Sequence, residues 1–273
     1  MIDNKQYSRL IATQDRAKHA HIREDKIIAD LLQKHSIVGT MINVGAHTGS
    51  GLTVFVQQGW EIHAFEPDTK NRKALKDKFQ NRIHVDERAV SDEDIQNTQF
   101  FKSNESTGIS SLLSFHDSHE KSHIVDVISL KSYCKQASIN RIDYLLIDSE
   151  GYDLPVLRGM DWKQYQPEVI VCEFEDRKTQ LLDYDFHDLA RYLCDRDYNV
   201  YVSEWHPVLK YGIKHDWRTL KKYPCELDDK NAWGNLIAIR SKISDHKIQN
   251  LFNAELKSKT GFASKLWKVI HRK

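Results

Sequence analysis

From about residue 38 to 175, short apolar runs alternate with amphipathic stretches. The strand-like runs are Thr40–Val44, Glu61–Phe65, 83–85, Tyr144–Ile147 and Val169–Phe174. Helical periodicity fills the intervals near 51–58, 69–79 and 153–159. Apolar strands separated by amphipathic helices bury themselves as βαβ units on a parallel sheet. A further helix is expected over 184–197, with late strands over 199–203 and 235–240. Residues 5–35 are polar and helix-prone, with Leu10, Ile11, Ile27, Ile28, Leu31 and Leu32 as the apolar positions. One or two surface helices packed on the core fit that spacing. The expected organisation is a helical appendage over 1–36, a main α/β domain over 37–241 and a basic helical tail over 242–273.

Composition excludes some partners. The net charge of +1 argues against a nucleic-acid reader, which needs a basic excess. No apolar run approaches the length of a membrane span. The first twenty residues lack the basic-then-apolar order of a signal peptide. Cys134, Cys172, Cys194 and Cys225 form no CxxC pair and no metal spacing, so they read as reduced thiols of a cytoplasmic protein.

The first chemical signal is Ile42-Asn43-Val44-Gly45-Ala46-His47-Thr48-Gly49, between a strand and a helix. Gly45 permits a tight turn against a ligand, and Gly49 permits close helix packing. It is neither GxGxxG nor a P-loop. An ordinary glycine-rich turn remains an alternative. The next strand ends in Phe65-Glu66-Pro67-Asp68. An acid at that strand end is placed to accept hydrogen bonds from both ribose hydroxyls of an adenosine ligand. The alternative is that Glu66 and Asp68 only cap the following helix. Loop and acid together point to a nucleoside cofactor without choosing which.

A third strand delivers Asp148 and Glu150 in Ile147-Asp148-Ser149-Glu150-Gly151-Tyr152-Asp153. Here the chain resembles the FkbM-type methyltransferase family. The pieces INVGAHTG, AFEPD, ERAVSDED, STGISSL, IDYLLIDSEGYDLPVLRGM and PEVIVCEFE occur in the family's order over about 38–175. The resemblance implies a Rossmann-like class I methyltransferase fold: a mostly parallel seven-stranded sheet, antiparallel in its final strand, with helices on both faces. It also implies S-adenosyl-L-methionine as methyl donor and O-methylation as the usual reaction. Asn43, Gly45, Ala46, His47, Gly49, Glu66 and Asp148 are the donor-binding positions it suggests. Asn43 stands where the family usually has aspartate, and Leu146 where a lysine is common. Asp148 and Glu150 are the first catalytic candidates, one to hold the donor and one to orient or deprotonate the acceptor. A capping role for Glu150 is the alternative. Clustered carboxylates suit magnesium, but no clean ligand spacing exists and no metal is expected.

For the acceptor, Ser110 and Ser111 offer hydroxyls. His116, His119 and His123 have spacings that would share one face of a helix, as solvated residues or as a metal site. Trp205, His206, Tyr211, His215, Trp217 and Arg218 interleave rings with polar edges, as a sugar-binding surface does. An acceptor-binding insert over 203–233 is therefore expected, with His206 and His215 as alternative bases. The tail carries Lys257, Lys259, Lys265, Lys268, Arg272 and Lys273 beside Phe262, Leu266, Trp267 and Ile270. It suits either a solvated terminal helix or peripheral contact with an anionic membrane. The functional expectation is O-methylation of a sugar hydroxyl in a surface glycan or glycolipid. A small metabolite as acceptor, or a non-catalytic nucleoside-binding role, are the alternatives.

Overall fold

The computed structural model describes residues 22–34, 37–103, 110–114, 116–208, 215–240 and 244–270. Eight strands form the main sheet: β1 (Thr40–Val44), β2 (Glu61–Phe65), β3 (His84–Asp86), β7 (Tyr144–Ile147), β8 (Val169–Phe174), β9 (Asn199–Trp205), β10 (Trp217–Lys222) and β11 (Trp233–Ile239). Their order is β10-β9-β11-β8-β7-β1-β2-β3. β1 pairs in parallel with β2 and β7, β7 with β8, and β2 with β3. β11 runs antiparallel between β8 and β9. This is the mostly parallel Rossmann-like sheet with its antiparallel last strand, extended by one strand at the β9 edge.

Alternation along the strands sorts side chains to two cores. Ile42, Val44, Leu145, Ile147, Ile170 and Cys172 face one layer, built on α4 (Leu130–Gln136), α5 (Asp153–Arg158) and α7 (Phe186–Cys194). Met41, Tyr144, Val169 and Val171 face the other, under α1 (Glu24–Lys34), α2 (Thr53–Gln57) and α8 (Asp245–Ile270). α1 is less a surface appendage than a layer of this core: Ile27, Ile28, Ala29, Leu31 and Leu32 are all buried. Two further helices serve the site: α3 (Thr69–Phe79) follows β2, and α6 (Asp176–Thr179) follows β8. Among the described residues, no helix is long and apolar enough to cross a membrane.

Three expectations change. The segment 203–233 is not an insert on the sheet but part of it, contributing the end of β9 and the whole of β10. Between β3 and β7 lies a second sheet of order β4-β6-β5, made by β4 (Ala89–Ser91), β5 (Ile95–Ser103) and β6 (His119–Ser129). His119 and His123 therefore sit on a strand, about 13 Å apart at strand rise, and cannot share a helical metal site. His123 instead meets the Pro67 carbonyl at 3.1 Å. In the tail, Ile248 and Phe252 are buried against this core, so the start of α8 is docked rather than solvated.

Candidate active site

The carboxyl ends of β1, β2 and β7 meet at one cavity of about 330 Å³. Gly45 opens its floor. At φ 80° it adopts the left-handed conformation, and a Cβ there would lie 1.9 Å from the Asp148 carbonyl oxygen. The loop is thus pressed onto the end of β7, which only glycine allows. The Gly45 and Ala46 N–H groups both donate to the Phe65 carbonyl, at 3.1 and 2.9 Å. His47, also left-handed at φ 49°, donates its N–H to Glu66 Oε2 at 2.6 Å. The Asp68 N–H donates to Glu66 Oε1 at 2.8 Å.

The two acids at the end of β2 therefore differ. Asp68 caps α3, accepting from the Lys70 and Asn71 N–H groups and pairing with Lys102 at 2.7 Å. Glu66 does not cap. It ties the glycine loop to the β2 turn and lines the cavity, where burial pushes its pKa to about 7. Asn43 lines the cavity too. It is 4% exposed, and its Oδ1 has no hydrogen-bond partner. An orphaned buried acceptor is costly unless a ligand completes it.

At the end of β7 the paired carboxylates separate in role. Asp148 is open to the cavity, and no hydrogen bond engages its carboxylate among the described residues. Crowding by protein raises its pKa to about 6, against the opposing pull of Lys178. Glu150, left-handed at φ 54°, is buried and locked to Lys178 Nζ at 2.5 Å. The same ammonium reaches Glu173 at 2.7 Å and Glu175 at 3.1 Å. Burial works against this ammonium, but its carboxylates outweigh that and raise its pKa. The Asp148, Glu150 and Glu173 carboxylates lie within 4.8 Å of one another, and Lys178 supplies the positive charge at that point. Burial pushes Glu173 up to about 7 and Glu150 well above its ordinary range. One lysine does not neutralise so many carboxylates, so the cluster holds protons near neutral pH. Ser111 donates to the Glu150 carbonyl at 3.1 Å and fixes this turn, while the buried Ser110 hydroxyl has no partner. Both serines line the cavity.

The aromatic segment is placed differently. Trp205 and Trp217 are 6% and 8% exposed. Trp217 stacks on Phe252 at 5.9 Å and donates to Ser203 Oγ, so it is core and not a sugar platform. Arg218 donates to His206 Nδ1 at 2.9 Å. His215 packs edge-on against Trp233 at 5.3 Å. None of Trp205, His206, His215, Trp217 or Arg218 lines the cavity, which removes His206 and His215 as alternative bases there. Tyr211 lies outside the described residues, as do the tail side chains from 258 onward. Conversely, Glu24, Asn235 and Tyr152 do line the cavity. Glu24 and Asn235 come from elements distant in sequence and carry no local motif, and Lys178 sits in an unremarkable DRKT turn.

A glycine loop, an acid at the next strand end and a carboxylate at the third, on this strand order, define a nucleoside-cofactor-binding α/β protein of the methyltransferase class. The FkbM methyltransferase domain model matches residues 43–200, more than half of the chain, and the chain belongs to that family. It is a methyltransferase that uses S-adenosyl-L-methionine. Asn43, with its orphaned acceptor, and Glu66, with lone pairs left on both oxygens, fit that donor. Several solved methyltransferases are similar at the level of fold. A putative O-methyltransferase from Klebsiella pneumoniae is 9% identical, with 86% of this chain and 90% of that one covered at a TM-score of 0.43. Magnesium protoporphyrin IX methyltransferase from Synechocystis PCC 6803, with bound S-adenosylmethionine, is 10% identical over 81% and 80%, at 0.41. Precorrin-6y C5,15-methyltransferase from Geobacter metallireducens GS-15 is 12% identical over 77% and 85%, at 0.39. No curated protein matches the sequence.

Proposed function

We propose that the protein O-methylates a sugar hydroxyl, at the end of a glycan or glycolipid, on the cytoplasmic side of the cell. The observation that carries this reading is Asp148, a carboxylate without a hydrogen-bond partner that opens into the donor cavity. S-adenosyl-L-methionine brings an activated methyl group on a sulfonium. The chain must then bring an acceptor oxygen into line and accept its proton. Positioning of this kind supplies up to about 7–11 kcal/mol of barrier lowering. Asp148 is the group able to take the proton, because Glu150 is already bound to Lys178. Its pKa of about 6 leaves it ionised at neutral pH yet still basic enough to help.

The surroundings support a sugar. Ser110 offers an unpartnered hydroxyl, and the half-buried Tyr152 ring lines the same cavity. A cavity of about 330 Å³ is at the small end of ligand pockets, roughly 300–1,000 Å³. The donor and the acceptor must share it, which suits an acceptor that enters by its end alone, as a larger glycan chain would. The test is transfer of a labelled methyl group to a panel of nucleotide sugars, oligosaccharides and small phenols. The expected result is label on sugar oxygen, lost with Asp148→Asn. Turnover confined to small phenols would replace the sugar reading with the metabolite one.

A further inference from the structure

Glu24 lies on α1, upstream of the segment that matches the family, yet its side chain lines the same cavity as Asn43, Gly45 and Asp148. Ser203 Oγ and Trp205 Nε1 donate to its Oε1, the latter at 3.1 Å, and Asn235 Nδ2 donates to its Oε2. All three donors are neutral. Among the described residues no cation pairs with this carboxylate, and the adjacent Arg23 is turned to Asp25. A carboxylate has about four lone-pair sites, so these donors leave one unfilled. Burying an anion with no counter-charge is strongly unfavourable. Burial accordingly pushes the Glu24 pKa up.

Asn43 presents an acceptor oxygen without a partner to the same space. One cavity therefore holds a carboxylate lacking a cation and an amide oxygen lacking a donor. A ligand group that is both positive and rich in N–H bonds answers both deficits. We infer that Glu24 and Asn43 together receive the α-ammonium of the methionyl part of the donor, so that the N-terminal helix is part of the donor site. Trp205, Ser203 and Asn235 then act as positioning residues that aim the carboxylate. The inference rests on this cavity being the donor site.

Calorimetry on the full chain tests it with three probes. S-adenosylmethionine carries sulfonium and ammonium, S-adenosylhomocysteine carries only the ammonium, and 5′-methylthioadenosine carries neither. Glu24→Gln is expected to weaken the first two by about tenfold or more, as for a lost hydrogen bond to a charged group, and to leave the third unchanged. Adding Asn43→Asp to Glu24→Gln is expected to restore affinity by returning an acid to the opposite wall. Loss for S-adenosylmethionine alone would place Glu24 against the sulfonium and overturn the assignment. Equal loss for all three, with a lower melting temperature and no rescue, would make the role structural and overturn it as well. Glu66→Ala separates the two levels. If it weakens all three probes while Glu24→Gln weakens none, the inference alone fails. If neither variant changes any affinity, the donor site lies elsewhere.

Discussion

The two halves of the sheet's carboxyl edge handle polar groups in opposite ways. Around β1, β2 and β7, buried polar atoms are left incomplete: Asn43 Oδ1 and Ser110 Oγ have no partner, and Asp148 opens into the cavity without one. At the β9–β10 edge most polar groups close on each other, with Arg218 Nε and Trp233 Nε1 the buried atoms left without a hydrogen-bond partner among the described residues. Glu204, fully buried, binds Lys221 at 3.0 Å, Arg218 at 3.4 Å and the Asp228 and Asp229 N–H groups. Arg218 in turn donates to His206. From sequence the second region is richer in functional side chains, and the first looks sparse. What separates a ligand site from a structural network is open hydrogen-bonding capacity facing a cavity. Residue type does not separate them.

Asp148→Asn should break that contrast most severely if it is wrong. The variant keeps the shape and removes the proposed base, so turnover should fall by about 10²–10⁴-fold while the melting temperature stays near the parent's. If Asp148 is that base, the rate in the parent should fall as pH drops through about 6, because protonation takes away its free lone pair. Full turnover in Asp148→Asn would move the reaction centre away from β7.

Glu204→Ala makes the opposite test. Breaking a buried ion pair costs about 3–5 kcal/mol when the partner is left buried. Lys221 and Arg218 keep some contact with water, so about 2–3 kcal/mol is expected. Denaturant unfolding measures it, and donor affinity should not change. A variant that is stable but cannot bind donor would place this network in the site.

Glu66 joins both behaviours. Its carboxylate is tied to two N–H groups yet still faces the cavity. Glu66→Ala should weaken S-adenosylhomocysteine by about tenfold or more. Its folded pKa of about 7 lies above the ordinary 4.5, so the folded state holds a proton that the unfolded chain has released. The stabilisation is complete below about pH 4.5 and is lost as pH rises through about 7. Ligand-free protein should therefore lose on the order of 1–3 kcal/mol over that window from this group. Glu66→Gln should flatten that slope in melts across pH.

The same contrast explains what could be read from the sequence. β1, β2, β7 and β8 were visible because they are apolar runs buried on both faces, as VIVCEF shows. β5, β6 and β10 were not. In WRTLKK only Trp217 and Leu220 are buried, with a register shift between Trp217 and Thr219, so no clean alternation survives. β5 and β6 leave Ile95 and Ile124 exposed and along most of their length bury one face, on Phe100, Val125 and Val127, with both faces of β6 buried only at its end, Val127–Ser129. The donor loop and its acid were readable because each is a local run of chain. Glu24, Lys178 and Asn235 were not, because only the fold brings α1 and β11 to the cavity and α6 to Glu150 behind it. The tryptophans misled for a related reason: a ring bound for the core and a ring bound for a sugar look alike until their burial is known.

The smallest effect expected is at His206, where the sequence suggested a base. Arg218 donates to its Nδ1, so that nitrogen is the acceptor and the ring is neutral. Burial and the adjacent guanidinium both lower its pKa. A ring held this way, outside the cavity, has neither the reach nor the charge state to take a proton from the acceptor. His206→Asn should therefore leave donor affinity, kcat and the acceptor's KM within about threefold of the parent, the scale of an ordinary substitution of about 0.5 kcal/mol. Steady-state kinetics with whichever acceptor the labelled-methyl panel identifies decides it. If kcat/KM falls tenfold or more while the melting temperature holds, the acceptor extends from Asp148 across to β9 and β10. The closed network would then be one wall of the site, and the division between the two regions would not hold.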